Sequence, residues 1–364
     1  MDYSKLRNRL LAGASVAALS LAFVSAANAD ATTGANDGAR NVLATTGSVT
    51  TTATDNFATF LVNAADRTLD SFNIDNDANI TVQTTSANKL DIGFVDIAAS
   101  TTLTLTMGAK VAAGTTQSTS PDVVNITGSL GEAGATTLVR GGTLAVAGAP
   151  GGATQTANTL KVLGNTLLSS VTLTGGAGGT AAGGALTVEF GDATTDTFNV
   201  TGLTLTGGAA DAASDTAGGA VTSTVTAAAT IGATGITMQG GAGADSAVGG
   251  AVTLTFANGA TIGGAVSVTA GNTDTGAGGD ATLNFDGTTT STSTLTIKGG
   301  TTGTDLALVT VSGDATFTAI TLDEVGAAEQ NAALTIDSTT ANQTITGTID
   351  GETANDGALN IVNS

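Results

Sequence analysis

Residues 171–190, VTLTGGAGGTAAGGALTVEF, return in altered form three times along the chain: LTLTGGAADAASDTAGGAVTSTV from Leu203, ITMQGGAGADSAVGGAVTLTF from Ile236, and VSVTAGNTDTGAGGDATLNF from Val266. The starts lie 32, 33 and 30 residues apart, and a weaker fifth start, LTIKGG at Leu295, follows 29 later. A period of this length marks a stack in which each unit is stable only against its neighbours. Within each unit the alternation has period two, the signature of a strand with one buried face. In Val171-Thr172-Leu173-Thr174 the apolar side chains share one face and the threonines the other. This is strand one of the unit, repeated at Leu203/Leu205, Ile236/Met238 and Val266/Val268. Strand two follows a glycine-rich loop: Leu186/Val188/Phe190, then Val221/Ser223/Val225, Val252/Leu254/Phe256 and Ala281/Leu283/Phe285. Strand three is short and is marked by Val200, Ile231, Ile262 and Ser291.

Three short strands per unit, separated by bends, describe one coil of a right-handed parallel β-helix, an all-β solenoid. Each strand pairs with its equivalents in the coils above and below, so backbone N–H and C=O groups are satisfied between coils. Inward residues then stack like on like, with Phe256 over Phe285, and outward threonines form ladders on a pleated, solvated face. Only two prolines interrupt the whole chain, Pro121 and Pro150. The loops at 175–184, 207–219, 240–250 and 271–279 vary in length while their flanking strands keep their pattern, as insertions on one face of a solenoid do. An array of antiparallel immunoglobulin-like sandwiches is the rival fold, but each such domain needs about 100 residues.

The pattern divides the chain into three parts: residues 1–29, residues 30–98 as an N-terminal cap or irregular first coils, and residues 99–364 as solenoid repeats, most regular over 171–295. Upstream, Leu103, Val124 and Leu144 read as earlier strand-one positions; downstream, Val309, Ile320 and Leu334 continue the texture irregularly. Gly, Thr, Ala and Ser dominate the composition, yet disorder is disfavoured. Only 11% of residues are charged, mean hydropathy is +0.27, and β-branched runs recur throughout.

Residues 1–29 carry the marks of a secretory signal peptide. Lys5, Arg7 and Arg9 form a basic start, Leu10 to Val24 is apolar, and Ala27-Asn28-Ala29 supplies the small-x-small cleavage pattern before Asp30. The apolar run is short for a membrane-spanning helix. No transmembrane segment is therefore expected in the mature chain, which is expected to be exported to the surface or exterior of a Gram-negative bacterium. Cleavage would leave 29 acidic and seven basic residues and no Tyr, Trp, His or Cys. So negative a chain is a poor partner for nucleic acid or an anionic membrane surface, both of which require Lys/Arg patches.

The same composition excludes most chemistry. Without His or Cys there is no Ser-His-Asp triad, cysteine nucleophile or ordinary zinc site. A carboxylate pair of the glycosidase kind remains open, but the aromatic and basic residues that line sugar-binding clefts are missing. The chain reads as non-enzymatic, with no cofactor. Calcium is the one metal with candidate ligands. Gly240-Gly241-Ala242-Gly243-Ala244-Asp245 matches the start of a calcium-binding nonapeptide repeat, but Ala247 stands where a large apolar residue is needed and no copy follows. A plain glycine corner explains the same residues. Asp75-Asn76-Asp77 lacks the glycine and glutamate of an EF-hand loop and reads as a polar turn. Asp211, Asp215 and Asp274 sit in the loops as weaker candidates.

Segments such as GGAVTLTFANGATIGGAVSVTAGN (249–272) resemble the passenger regions of Gram-negative autotransporters, particularly the Gly/Thr/Ala-rich repeats of rickettsial-type outer-membrane proteins. The resemblance lies in composition and texture over roughly residues 100–320. It implies a surface-exposed structural or adhesive role, with a host or neighbouring cell surface as partner. Autotransporters carry a C-terminal translocating barrel ending in an aromatic, whereas this sequence ends at Asn363-Ser364, so the resemblance implies a passenger fragment. Self-association is the alternative, since surface-layer and filament subunits share this acidic, cysteine-free composition. A β-helical carbohydrate-active enzyme is the third reading.

Overall fold

The structure is a computed structural model. It describes the chain from Gly34 to Asn363, apart from residues 38–39, 43–47, 52–58, 63–65, 76, 85–88, 109–121, 134–137, 152–156, 273–276, 302–304, 324–330, 339–342 and 352–356. The expected signal peptide, Pro121 and Asp274 therefore lie outside the described residues.

The fold is an all-β parallel solenoid. The described strand-two segments, from Arg67–Leu69 to Ala358–Asn363, fall in one sheet of eleven strands, in which each strand pairs in parallel with the one a coil away. One inward column of this sheet runs Leu69, Ile92, Ile126, Val162, Phe190, Val225, Phe256, Phe285, Val311, Ile336 and Ile361. With strands about 4.8 Å apart, the eleven described strands of this sheet span roughly 50 Å. Strands one and three form a second, bent sheet. They join into single strands at Thr166–Thr174, Thr197–Thr206, Ala228–Gln239 and Ala315–Asp323. Elsewhere they separate, as at Ala260–Ile262 and Val266–Thr269.

The strand-one positions read from the repeat stack in one unbroken column: Val171, Leu203, Ile236, Val266 and Leu295. Their side chains are buried, as are Val188, Leu254 and Leu283 from the facing sheet, so one tube of Val, Leu, Ile and Phe runs the length of the stack. Phe256 and Phe285 lie stacked at 5.6 Å between ring centroids and 10° between planes. Phe317 of the second sheet tilts against Phe285 at 6.1 Å, and Phe198 against Phe190 at 4.7 Å. The stack is thus closed by aromatic contacts between its faces as well as along them.

Two expectations are corrected. Val124 lies in strand two, paired with Leu90 below and Leu160 above, and not in strand one. Leu103 pairs directly with Leu144, so the coil between them spans 41 residues, not two short coils of about 20. The alternation of Val124-Asn125-Ile126 is the same on either face; only the pairing partners assign it. The stretch beyond residue 300 is also regular: Val309, Leu334 and Leu359 stack at an even spacing of 25 residues in strand two, and Ile320 continues the strand-one column. At the other end, parallel pairing already holds between Ser48–Thr51 and Ser71–Ile74 and between Arg67–Leu69 and Lys89–Ile92.

Candidate functional site: the glycine fin and the outer ladders

The glycine-rich loops do not hang free as separate turns. Each leaves strand one and returns to strand two as a narrow two-legged projection, and successive projections stack into a fin along the rod. The outgoing leg carries Gly176, Gly208, Gly241 and Gly271, and the returning leg Gly184, Gly219, Gly250 and Gly279. The legs are knitted by alternating bonds. Within a coil, Gly241 N–H donates to Gly250 O and Gly271 N–H to Gly279 O, both at 2.8 Å. Between coils, Gly250 N–H donates to Gly208 O and Gly279 N–H to Gly241 O, both at 2.8 Å. These bonds require the two backbones to touch. A Cβ on Gly241 would stand 1.9 Å from Gly208 O and 2.6 Å from Gly250 N, inside the hydrogen bond that joins them. Glycine is therefore demanded by close backbone approach and not by a left-handed conformation.

Side-chain amides and carboxylates close the fin at its ends. Asn331 Nδ2 donates to Gly300 O at 2.7 Å, in the place a glycine N–H of a further coil would take. Near the first coils of the fin, Asp122 Oδ2 accepts Gly108 N–H at 2.6 Å and Asn158 Oδ1 accepts Asp122 N–H at 3.1 Å. Both side chains are buried where later coils place apolar residues.

Asp245 sits at the exposed tip of a projection, at φ 50°, inside a turn closed by Ala244 and Ala247, whose N–H groups each donate to the other's carbonyl at 3.0 and 2.8 Å. Gly240 and Gly241, the start of the nonapeptide-like run, are in the fin itself. In the preceding projection Asp211 and Thr216 make the equivalent bridge, with Asp215 at φ 51°. Ser246 Oγ donates to Asp215 Oδ1 at 2.6 Å, so the two tips are linked. Asp75 and Asp77 flank a corner and are exposed, and Asp77 Oδ1 accepts Thr102 N–H of the next coil at 2.8 Å. Asp77 shares this task with Asp66, Asp280 and Asp314, whose Oδ1 atoms accept Lys89, Leu306 and Thr344 N–H groups. Asp77 and Asp215, candidate ligands by sequence, thus bridge one coil to the next, a role invisible without the stack. Among the described residues no group of three or more acidic side chains is placed to hold a metal ion.

The outer faces carry hydroxyl ladders and a few ion pairs. Thr172, Thr204, Thr237, Ser267 and Thr296 align on strand one, and Thr187, Thr222, Thr253 and Thr282 on strand two. Lys161 meets Glu189 of the next coil at 2.7 Å, and Lys298 meets Asp323 at 2.6 Å. Lys89 pairs with Asp91 at 2.8 Å; that hydrogen bond and charge hold its ammonium above the ordinary 10.5. Arg140 spans further, donating from Nη1 to Leu168 O at 2.6 Å and from Nη2 to Asn199 Oδ1 at 2.7 Å. Lys161, Lys298 and Arg140 thus each engage a neighbouring coil along the rod, and Lys89 pairs within its own strand.

No family model, curated protein or solved structure matches this chain. Among the described residues no helix is long and apolar enough to cross a membrane.

Proposed function

We propose that this protein is a non-enzymatic structural or adhesive rod, exported to the cell surface or exterior of a Gram-negative bacterium and akin to an autotransporter passenger. The observation that carries the reading is how the polar side chains are spent. The outer faces are ladders of threonine and serine, several acidic groups tie coil to coil, and the bases are dispersed along the axis. Such a surface offers breadth and rigidity, with these acidic and basic groups engaged between neighbouring strands. A host or neighbouring cell surface is the proposed partner, met by the flat ladders and by the fin.

The test combines export and form. Protein recovered outside the cell should begin at Asp30 by N-terminal sequencing, and electron microscopy should show isolated rods at least about 50 Å long. Retention of Met1 in exported material would replace cleavage with anchoring. Ordered fibres or sheets of the purified protein would favour a filament or surface-layer subunit. Cleavage of a polysaccharide by the rods would overturn the non-enzymatic reading.

A further inference from the structure

Strand one carries a second repeat on its outer side. Thr172 and Thr174, Thr204 and Thr206, Thr237 and Gln239, Ser267 and Thr269, and then Thr296 face away from the core, alternating with buried Leu173, Leu205, Met238, Val268 and Ile297. Parallel pairing in unbroken register sets Thr172, Thr204, Thr237, Ser267 and Thr296 in one column, and Thr174, Thr206, Gln239 and Thr269 in a second. Neighbours within a column stand about 4.8 Å apart, and the two positions on one strand about 6.6 Å apart. No hydrogen bond joins the Thr172, Thr204, Thr237, Ser267 or Thr296 hydroxyl to a described protein atom. None of these positions carries a charge; the next in the second column is Lys298, which is paired with Asp323 at 2.6 Å.

A neutral grid of free hydroxyls at fixed spacing is a template for ordered water. Bonds between coils fix the backbone, and branching at Cβ restricts each threonine to few rotamers. The face is therefore ordered before anything binds, and little freedom is lost on binding. A charged group would hold its own hydration shell and break the grid. The ladder on strand two has such breaks: Lys161 and Glu189 lie in one of its columns, and Asn284 Nδ2 donates to Thr255 Oγ1 at 3.2 Å. Oxygen rows on the prism face of hexagonal ice repeat at two distances close to those of the strand-one grid. We propose that the strand-one face binds ice. Its hydroxyls and methyl groups hold a layer of water in near-lattice positions, and that layer joins a growing crystal and arrests it locally. The activity goes beyond contact with a cell surface and does not depend on it.

The test grows single ice crystals in a solution of the whole chain, cooled slowly under a microscope. The chain should facet the crystal and open a gap between its melting and growth temperatures. Thr237→Lys and, independently, Ser267→Lys put a charge in the middle of the grid, at an exposed and a half-buried outward position. Circular dichroism should be unchanged in both, and the gap should be lost. Thr222→Lys, exposed on strand two, should keep it. Round, unfaceted discs with the parent chain refute the proposal, as does a gap that survives both strand-one lysines. Retention of the chain on crystalline cellulose with no effect on ice makes a sugar polymer the occupant and refutes it too.

Discussion

Replacing Gly241 with alanine tests whether the fin is a structural element or merely a set of loops. The added Cβ would lie 1.9 Å from Gly208 O and 2.6 Å from Gly250 N, two atoms that are bonded to each other at 2.8 Å. Neither is the end of a flexible side chain; both are backbone held in the stack. The legs must separate, and Gly241 N–H then loses Gly250 O as well. Two hydrogen bonds at roughly 1 kcal/mol net each give about 2 kcal/mol, and a buried carbonyl or N–H left unpaired adds about 1–3 kcal/mol. The expected loss is therefore about 3–5 kcal/mol. Gly263 provides the control, because its Cβ would meet nothing nearer than 3.4 Å. Gly263→Ala should be neutral or stabilising by less than about 1 kcal/mol, through the unfolded chain. Since a solenoid holds together by nearest-neighbour contacts, the damage should concentrate in the coils around residue 241. Denaturant melts of both variants give the totals, and amide hydrogen exchange gives the location. Exchange at Gly250 and Gly279 should quicken in Gly241→Ala. If Gly241→Ala unfolds within about 1 kcal/mol of the parent and the Gly250 amide stays protected, the fin does not hold the coils as described.

Three further outcomes follow from other contacts. Ser223 stands in the core column between Val188 and Leu254, buried, with its Oγ lacking any partner. Ser223→Ala should raise the unfolding free energy from denaturant melts by about 1 kcal/mol, and a drop would show the hydroxyl to be satisfied. Phe285 touches both Phe256 and Phe317, so Phe285→Ala should cost about 3–5 kcal/mol in the same melts, and a loss under 1 kcal/mol would contradict the aromatic contacts. Lys89 has its folded value raised by Asp91, so its contribution is complete below about pH 10.5 and fades above it. Melts compared across that range should show a small decline that Lys89→Met removes, and the same decline in Lys89→Met would assign it elsewhere.

Strand positions, their inward faces and the period of the coil are local properties, and the alternation in Val171-Thr172-Leu173-Thr174 and its copies announces them without any structure. Stacked Phe256 and Phe285 follow from the same reading, because equal positions in successive repeats must meet. What alternation does not carry is which sheet a strand joins. Val124-Asn125-Ile126 has the pattern of strands one and two equally, and its place in strand two depends on partners 34 and 36 residues away. The fin was hidden for a related reason. Glycine in a loop signals either backbone freedom or backbone contact, and only the 2.8 Å bond between Gly250 and Gly208, from neighbouring coils, chooses contact. Asp77 likewise reads as part of a polar turn until the next coil brings the Thr102 N–H group to it. The repeat dictated the coil through side-chain periodicity along one segment. Pairing and the fin arose from contacts between segments some thirty residues apart, which periodicity does not encode.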